Sequence, residues 1–181
     1  MYIRCWGSRG SIPVSGKGYI KYGGDTTCLE IRSKEGDIVI VDSGTGIRNL
    51  GNKLMHEKKK NVVLLLTHAH LDHIMGFPFF RPLYVEGVVI SILSRINSKS
   101  SSRSVFSKLM SRPFFPVQLT DKDIKASLVF KKIKNKPIKI GSLTIDSIPL
   151  SHPKDGGLGF RFKEDEKTFV FLTDNELGHV H

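Results

Sequence analysis

The heptapeptide Thr67-His68-Ala69-His70-Leu71-Asp72-His73 carries four potential metal ligands and follows the apolar run at residues 62–66. That run is short and partly β-branched, a pattern that predicts a buried strand rather than a helix. In a loop after such a strand, the first two histidines can converge on one cation, while the aspartate and the last histidine reach a second. Imidazole with carboxylate suits zinc, iron or manganese better than magnesium or calcium. The alternative is a polar surface loop, but three of the seven histidines in the chain lie in this window.

The composition is that of an ordinary soluble globular protein, with 39% hydrophobic and 25% charged residues in a chain of 181. We therefore expect a single domain over residues 1–181. The N-terminus lacks the basic start and long apolar stretch of a signal peptide, and no apolar run approaches the ~18 residues that span a bilayer. These features predict a cytoplasmic protein with no membrane partner. Cys5 and Cys28 lie in strand-like runs, so we expect two small buried residues and no disulfide framework or thiolate zinc site.

Positive charge is concentrated in one part of the chain. Between Arg95 and Lys139 there are twelve Lys and Arg residues against Asp121 and Asp123, a local net charge of +10 out of +11 overall. This segment can attract a polyanion or an anionic small molecule. A solvated helix and strand face explains the same charge equally well.

The pattern of apolar runs and turn residues predicts mainly strands. Residues 74–84, with two prolines, predict a short broken helix. The serine-rich residues 97–104 predict a flexible connection. Helices are expected at residues 47–58 and 105–110. Strands are expected at residues 2–6, 26–32, 38–41, 62–66, 88–93, 128–133, 138–140, 143–148, 158–162 and 168–172.

Polar groups follow several of these strands. Residues 7–13 form a glycine- and serine-rich loop whose free N–H groups can receive an anion. Asp42 follows the third strand, where it can either cap the next helix or orient a metal ligand from behind the site. His152 and Asp174 each follow a later strand, as the heptapeptide does. Either can be an ordinary surface or turn residue, but both occupy positions that a ligand loop needs.

The His-x-His-x-Asp-His pattern, followed by a strand-end histidine and a strand-end aspartate, resembles the metallo-β-lactamase fold superfamily. Residues 7–13, 22–28 and 42–46 are similar to its phosphodiesterase branch, which includes ribonuclease Z, cyclic-nucleotide phosphodiesterases and phosphoribosyl cyclic phosphodiesterases. The resemblance implies an α/β fold, an αββα sandwich with a two-metal site along one edge.

The resemblance also implies the roles of individual residues. One divalent cation is assigned to His68, His70 and His152, the other to Asp72 and His73, and Asp174 bridges both. Zinc is the expected metal, with manganese or iron as the other candidates. A hydroxide held between the cations is the implied nucleophile. Asp72 is the expected catalytic group that orients this water or accepts its proton, and Asp42 is the expected positioning residue.

The chain departs from the family pattern near its end. Family members continue past the bridging aspartate through a helix and a strand that supply a final histidine. Here the only histidines after Asp174 are His179 and His181, and both are closer to it in the sequence than that pattern requires. We therefore expect a sandwich without its C-terminal elements, a C-terminally truncated domain and an incomplete second site. Exposed apolar sheet surface would then favour either a partner chain, such as a second copy in a homodimer, or poor stability.

Three functions are compatible with these residues. The leading hypothesis is a metal-dependent hydrolase of phosphodiester bonds, acting on RNA or a cyclic nucleotide-like small molecule. The second keeps the metals and changes the substrate to a thioester, lactone or β-lactam, because a fold does not determine a function. The third is a catalytically weak anion-binding protein with an incomplete second metal site.

Overall fold

The strands of the larger sheet form in the first three quarters of the chain. The computed structural model describes residues 1–95, 101–152 and 156–178. The sheet has six strands in the order β1-β2-β3-β4-β5-β6. The first three pair antiparallel, and β3 to β6 pair parallel. Their bounds are β1 Tyr2–Gly7, β2 Cys28–Arg32, β3 Ile38–Val41, β4 Asn61–Leu65, β5 Val89–Ser94 and β6 Ser127–Lys132.

A second, antiparallel sheet has four strands in the order β10-β9-β8-β7. Their bounds are β7 Ile138–Ile140, β8 Leu143–Leu150, β9 Gly157–Glu164 and β10 Lys167–Phe171. Apolar and polar residues alternate along β9, where Phe160 and Phe162 are buried and Arg161 and Lys163 are exposed. This period of two places one face of the sheet in the core and the other in solvent.

The helices are short. They comprise α1 Ile47–His56, α2 Leu71–Ile74 and α3 Ser102–Leu109, with three-residue to four-residue 3₁₀ turns at Lys17–Tyr19, Phe77–Phe79 and Arg81–Tyr84. In α1 the buried residues Ile47, Leu50 and Leu54 recur at helical spacing, so one stripe of the helix faces the sheet. Among the described residues, no helix is long and apolar enough to cross a membrane.

Two hydrophobic cores lie on opposite faces of the larger sheet. Ile38 and Ile40 of β3 pack into the core beneath the helices. Val39 and Val41, the residues between and after them, pack into the core between the two sheets. A strand buried on both faces has no polar alternation, which is why residues 38–41 and 62–66 are continuous apolar runs.

The described helices pack against one face of the sandwich only. On the opposite side, the outer face of the second sheet carries Ile148, Val170 and Leu172, each about half exposed at 52%, 49% and 48%. No helix among residues 1–95, 101–152 and 156–178 covers them. The two sheets and the helical layer agree with the predicted αββα sandwich without its C-terminal elements.

Several local predictions were wrong. Cys28 is buried but Cys5 is exposed, because it lies on the edge strand β1, whose residues 2–5 are all exposed. Residues 101–104 begin α3 rather than a flexible connection, since the Ser101 side chain accepts a hydrogen bond from the Ser104 N–H and caps the helix. The rest of that predicted connection, residues 97–100, lies outside the described residues. Asp72 and His73 lie in the one-turn helix α2, not in an open loop.

Candidate metal centre

Three strand ends converge at one end of the sandwich. Residues 67–73 follow β4, His152 follows β8, and Asp174 follows β10. Their ligand atoms form two groups, each with all atoms within 4.8 Å of one another. The structure thus brings together all six predicted ligands, and Asp174 belongs to both groups. The groups are His68, His70, His152 and Asp174, and Asp72, His73 and Asp174.

The first group consists mainly of imidazole nitrogens. Nδ1 of His70 lies 2.9 Å from Nε2 of His152, and Nε2 of His68 lies 3.5 Å from Oδ2 of Asp174. Nε2 of His68 is buried and has no hydrogen-bond partner within the described part of the chain. Buried polar atoms without a partner are rare because their desolvation is costly. A cation coordinated by this nitrogen would remove that cost.

The second group surrounds His73, whose side chain is fully buried. Its Nε2 lies 3.1 Å from Oδ2 of Asp174 and 3.6 Å from Oδ2 of Asp72. The backbone N–H of Ser11 donates a 2.7 Å hydrogen bond to the same Asp72 oxygen. The loop at residues 7–13 therefore binds an anion, as predicted, but the anion is a carboxylate of the protein itself. Ser11 was not among the predicted site residues, and the glycine- and serine-rich loop was its only signal in the sequence.

Asp42 connects the two groups from behind. Its Oδ2 accepts hydrogen bonds of 2.8 Å from Nδ1 of His73 and from the hydroxyl of Thr67, and its Oδ1 accepts one from the Thr67 N–H. The capping alternative is wrong, because α1 begins after Gly46 and has no side-chain cap. Donation from Nδ1 to Asp42 leaves Nε2 as the His73 nitrogen directed at the second group, and it can coordinate once the ring is neutral.

Thr67 extends this network to the first group. Its Oγ1 lies 3.0 Å from Nδ1 of His68. Because the hydroxyl proton is donated to Asp42, the oxygen accepts from the protonated Nδ1 of His68, which leaves Nε2 free to coordinate. Hydrogen bonds of this kind orient metal-binding histidines and select their tautomer. Thr67 was not among the predicted site residues, although it directly precedes the first histidine of the motif.

Close backbone contacts hold the ligand helix in place. The Ser43 N–H donates to the His73 carbonyl at 2.7 Å, and the Gly76 N–H donates to the Ser43 carbonyl at 2.9 Å. A Cβ on Gly76 would lie 2.1 Å from the Gly44 carbonyl oxygen, and one on Gly44 would lie 2.4 Å from the Asp72 carbonyl oxygen. Both glycines are therefore needed for the turn after β3 to pack against α2.

The surroundings of the cluster shift the pKa values of His68 and His73 in opposite directions. Burial, reinforced by the neighbouring histidines, lowers the pKa of His68 to about 3. Burial also opposes the charged form of His73, but the hydrogen bond to Asp42 and the nearby carboxylates outweigh it and raise the pKa of that ring to about 9. His68 is thus neutral and ready to coordinate at neutral pH. His73 must release a proton to bind a cation, because coordination requires the neutral ring.

The donors fit divalent transition metals. Mixed imidazole and carboxylate groups suit zinc, manganese or iron better than they suit magnesium or calcium, which prefer shells made only of oxygen atoms. His68, His70 and His152 with Asp174 make a four-residue group, while Asp72 and His73 share Asp174 in the other. His179 and His181, the two histidines that follow Asp174 in the sequence, lie outside the described residues.

Comparisons of the fold agree with this geometry. The metallo-β-lactamase fold protein YhfI from Bacillus subtilis has a TM-score of 0.60 at 18% identity, over 93% of this chain and 60% of that one. A diphosphatase from the PhnP family has a TM-score of 0.59 at 16% identity, over 88% and 61%. Unliganded yeast PDE1 has a TM-score of 0.60 at 14% identity, over 98% and 67%. Metallo-β-lactamases are among the other similar folds. The chain thus spans about 60% of the length of the first two structures.

The sequence itself matches a family model. No curated protein sequence matches the chain. The model of the beta-lactamase superfamily domain matches residues 38–180, which is more than half of the chain and includes every predicted ligand. The chain therefore belongs to the beta-lactamase superfamily and has the metallo-β-lactamase fold.

Proposed function

We propose that this chain is a metal-dependent hydrolase of phosphodiester bonds. The observation that carries the proposal is the position of Asp174, whose carboxylate lies in both ligand groups at once. A carboxylate shared in this way can hold two cations side by side, the arrangement used in many phosphoryl-transfer sites. We infer zinc as the native metal, because the site offers imidazole nitrogens and carboxylate oxygens, which are common zinc ligands in proteins.

Two such cations would supply a water of lowered pKa and would stabilise negative charge on a phosphoryl oxygen. The residues of the chain contribute position and proton transfer. Asp42 and Thr67 hold His73 and His68 in the tautomers that direct Nε2 into the site. The Ser11 N–H donates to Oδ2 of Asp72 and orients its carboxylate, and this carboxylate is the proposed acceptor of a proton from the attacking water.

Access and charge also support an anionic substrate. His70 is exposed, and about a third of the Asp174 side chain is exposed, so the two groups are open to solvent on one side. Exposed lysines and arginines of the basic segment at residues 95–139 add a positive field. A PhnP-family diphosphatase and yeast PDE1 are among the similar folds, alongside metallo-β-lactamases, so the fold is compatible with phosphorus–oxygen chemistry.

The test compares the protein with a single ligand variant. We expect about two divalent cations per chain and hydrolysis of an aryl phosphodiester, with the activity reduced at least about 100-fold in His70→Ala. His56→Ala, at an exposed histidine at the end of α1, is the matched control. Faster turnover of a thioester, lactone or β-lactam by the same preparation would contradict the phosphodiester assignment. Equal rates in His70→Ala and the wild type would contradict the metal site itself.

A further inference from the structure

A cleft of about 380 Å³ lies between the crossover from β6 to β7 and strand β8. Three cationic side chains contribute to its lining, together with an amide, a hydroxyl and one carboxylate. These residues are Arg95, Lys134, Asn135, Lys136, Asp146 and Ser147. None of them belongs to the two ligand groups described above.

The cleft lies at the same end of the sandwich as the candidate metal centre. Arg95 directly follows β5, and the Leu66 N–H donates to the Leu93 carbonyl, so the end of β5 adjoins the start of residues 67–73. The Ile133 N–H donates to the Ser94 carbonyl, which places the start of the crossover beside Arg95. On the other wall, Pro149 precedes His152 by three residues, a distance on the order of 10 Å along an extended chain.

The positive charge of the cleft is not neutralised from within. No ion pair forms between Arg95, Lys134 or Lys136 and any carboxylate in residues 1–95, 101–152 and 156–178. Asp146, the one acidic residue of the lining, accepts hydrogen bonds from Nε and Nη2 of Arg161 at 3.1 and 2.8 Å. The cleft is therefore cationic and offers amide and hydroxyl donors beside the charges, the combination that binds phosphate oxygens.

We propose that this cleft binds a phosphate group of the substrate other than the one cleaved at the metal centre. A cyclic mononucleotide has no second phosphate to place there, whereas a strand of linked nucleotides has one at every step. Of a cyclic mononucleotide and a nucleotide strand, the cleft therefore favours the strand, and we assign a single-stranded oligonucleotide as the substrate class. This inference rests on the proposed phosphodiesterase function, and it adds the site that selects a strand.

The experiment measures binding separately from turnover. A short, fluorescently labelled single-stranded oligoribonucleotide with phosphorothioate links, which resist cleavage, is titrated by anisotropy over a series of salt concentrations. In Lys134→Glu/Lys136→Glu we expect affinity to fall at least about tenfold. The slope of log K against log[salt] should become shallower by about 0.7, because the contact with one phosphate is lost. Lys134→Gln/Lys136→Gln should give an intermediate loss.

The control is Lys122→Glu/Lys125→Glu, which makes the same charge change in the same basic segment. Lys122 and Lys125 are exposed and precede β6, whereas the cleft follows it, so they lie at the opposite end of that strand. We expect this control to lose less than about twofold in affinity. Equal losses in the two double variants would overturn the proposal, because net charge alone would then account for binding.

Turnover distinguishes failure of this proposal from failure of the proposed function. If the protein cleaves an aryl phosphodiester but binds the oligonucleotide equally well with and without the cleft lysines, the subsite is wrong and the function stands. If it cleaves no phosphodiester but loses oligonucleotide affinity only in the cleft variant, the function is wrong and the anion subsite stands.

Discussion

Nδ1 of His73 donates a 2.8 Å hydrogen bond to Oδ2 of Asp42, although the two residues are 31 positions apart and both side chains are fully buried. The same carboxylate oxygen accepts the Thr67 hydroxyl, which lies against His68. One carboxylate therefore orients a histidine in each ligand group. The two candidate metal positions are structurally coupled through a residue that is not itself a ligand.

Replacing Asp42 by Ala should weaken metal binding in both groups. Loss of the partners that orient metal-binding histidines typically costs about 10- to 100-fold in affinity. Competition with a chromogenic chelator would measure the change. Asp123→Ala, at an exposed aspartate, is the control. Unchanged affinity in Asp42→Ala would show that the packing around His73 alone orients its ring.

Thr67→Val should affect the first group more than the second. The methyl group fills the volume of the hydroxyl but cannot accept from Nδ1 of His68 or donate to Asp42, while the direct bond between Asp42 and His73 remains. Leaving these buried groups without a partner should also cost about 1–3 kcal/mol of stability. Metal content per chain and urea unfolding would measure the two effects. Thr67→Ser keeps the hydroxyl and should restore both.

Gly76→Ala should destabilise the fold near the metal centre. Its Cβ would lie 2.1 Å from the Gly44 carbonyl oxygen, so the turn after β3 and the ligand helix must move apart. We expect a loss of about 1–3 kcal/mol, as for other overpacked sites. Gly10→Ala is the matched control, because a Cβ there meets nothing within 4 Å. Equal denaturation midpoints in urea for the two variants would contradict the close contact.

Stability should depend on Glu164 at acid pH. The amino group of Met1 and the Ser142 hydroxyl, both hydrogen-bonded to its carboxylate, lower the pKa of Glu164 to about 2. The unfolded value is about 4.3, so the ionised form stabilises the fold fully above that pH. This stabilisation is lost as the pH falls from about 4.3 to about 2, by at most about 1.4 kcal/mol per pH unit.

Urea unfolding of Glu164→Gln between pH 2 and pH 7 tests this linkage. The variant should be less stable than the wild type at neutral pH, and the difference should shrink towards the acid end. Glu166→Gln, at an exposed position on the adjoining turn, should follow the wild type. A difference that stays constant with pH would assign the role of Glu164 to packing rather than charge.

Local sequence patterns predicted most of the elements and the four ligands of the heptapeptide, and the family resemblance implied His152 and Asp174 as the other two. Strands buried on both faces must be apolar throughout, so β3, β4 and β5 were recognisable as continuous runs. The ligands were recognisable because each follows a strand end, and the four of the heptapeptide are adjacent in the chain. Cys5 was mispredicted because a strand pattern does not show whether another element covers its face.

The sequence by itself determined which residues could bind metal, since donor chemistry and spacing are properties of the local chain. Only the tertiary structure decided that His152 and Asp174 meet His68 and His73, that Asp42 orients two histidines rather than capping α1, and that Ser11 reaches Asp72. The physical reason is that these contacts join segments 31 to 101 residues apart. Such pairings depend on the order and register of the strands in both sheets, which local patterns do not specify.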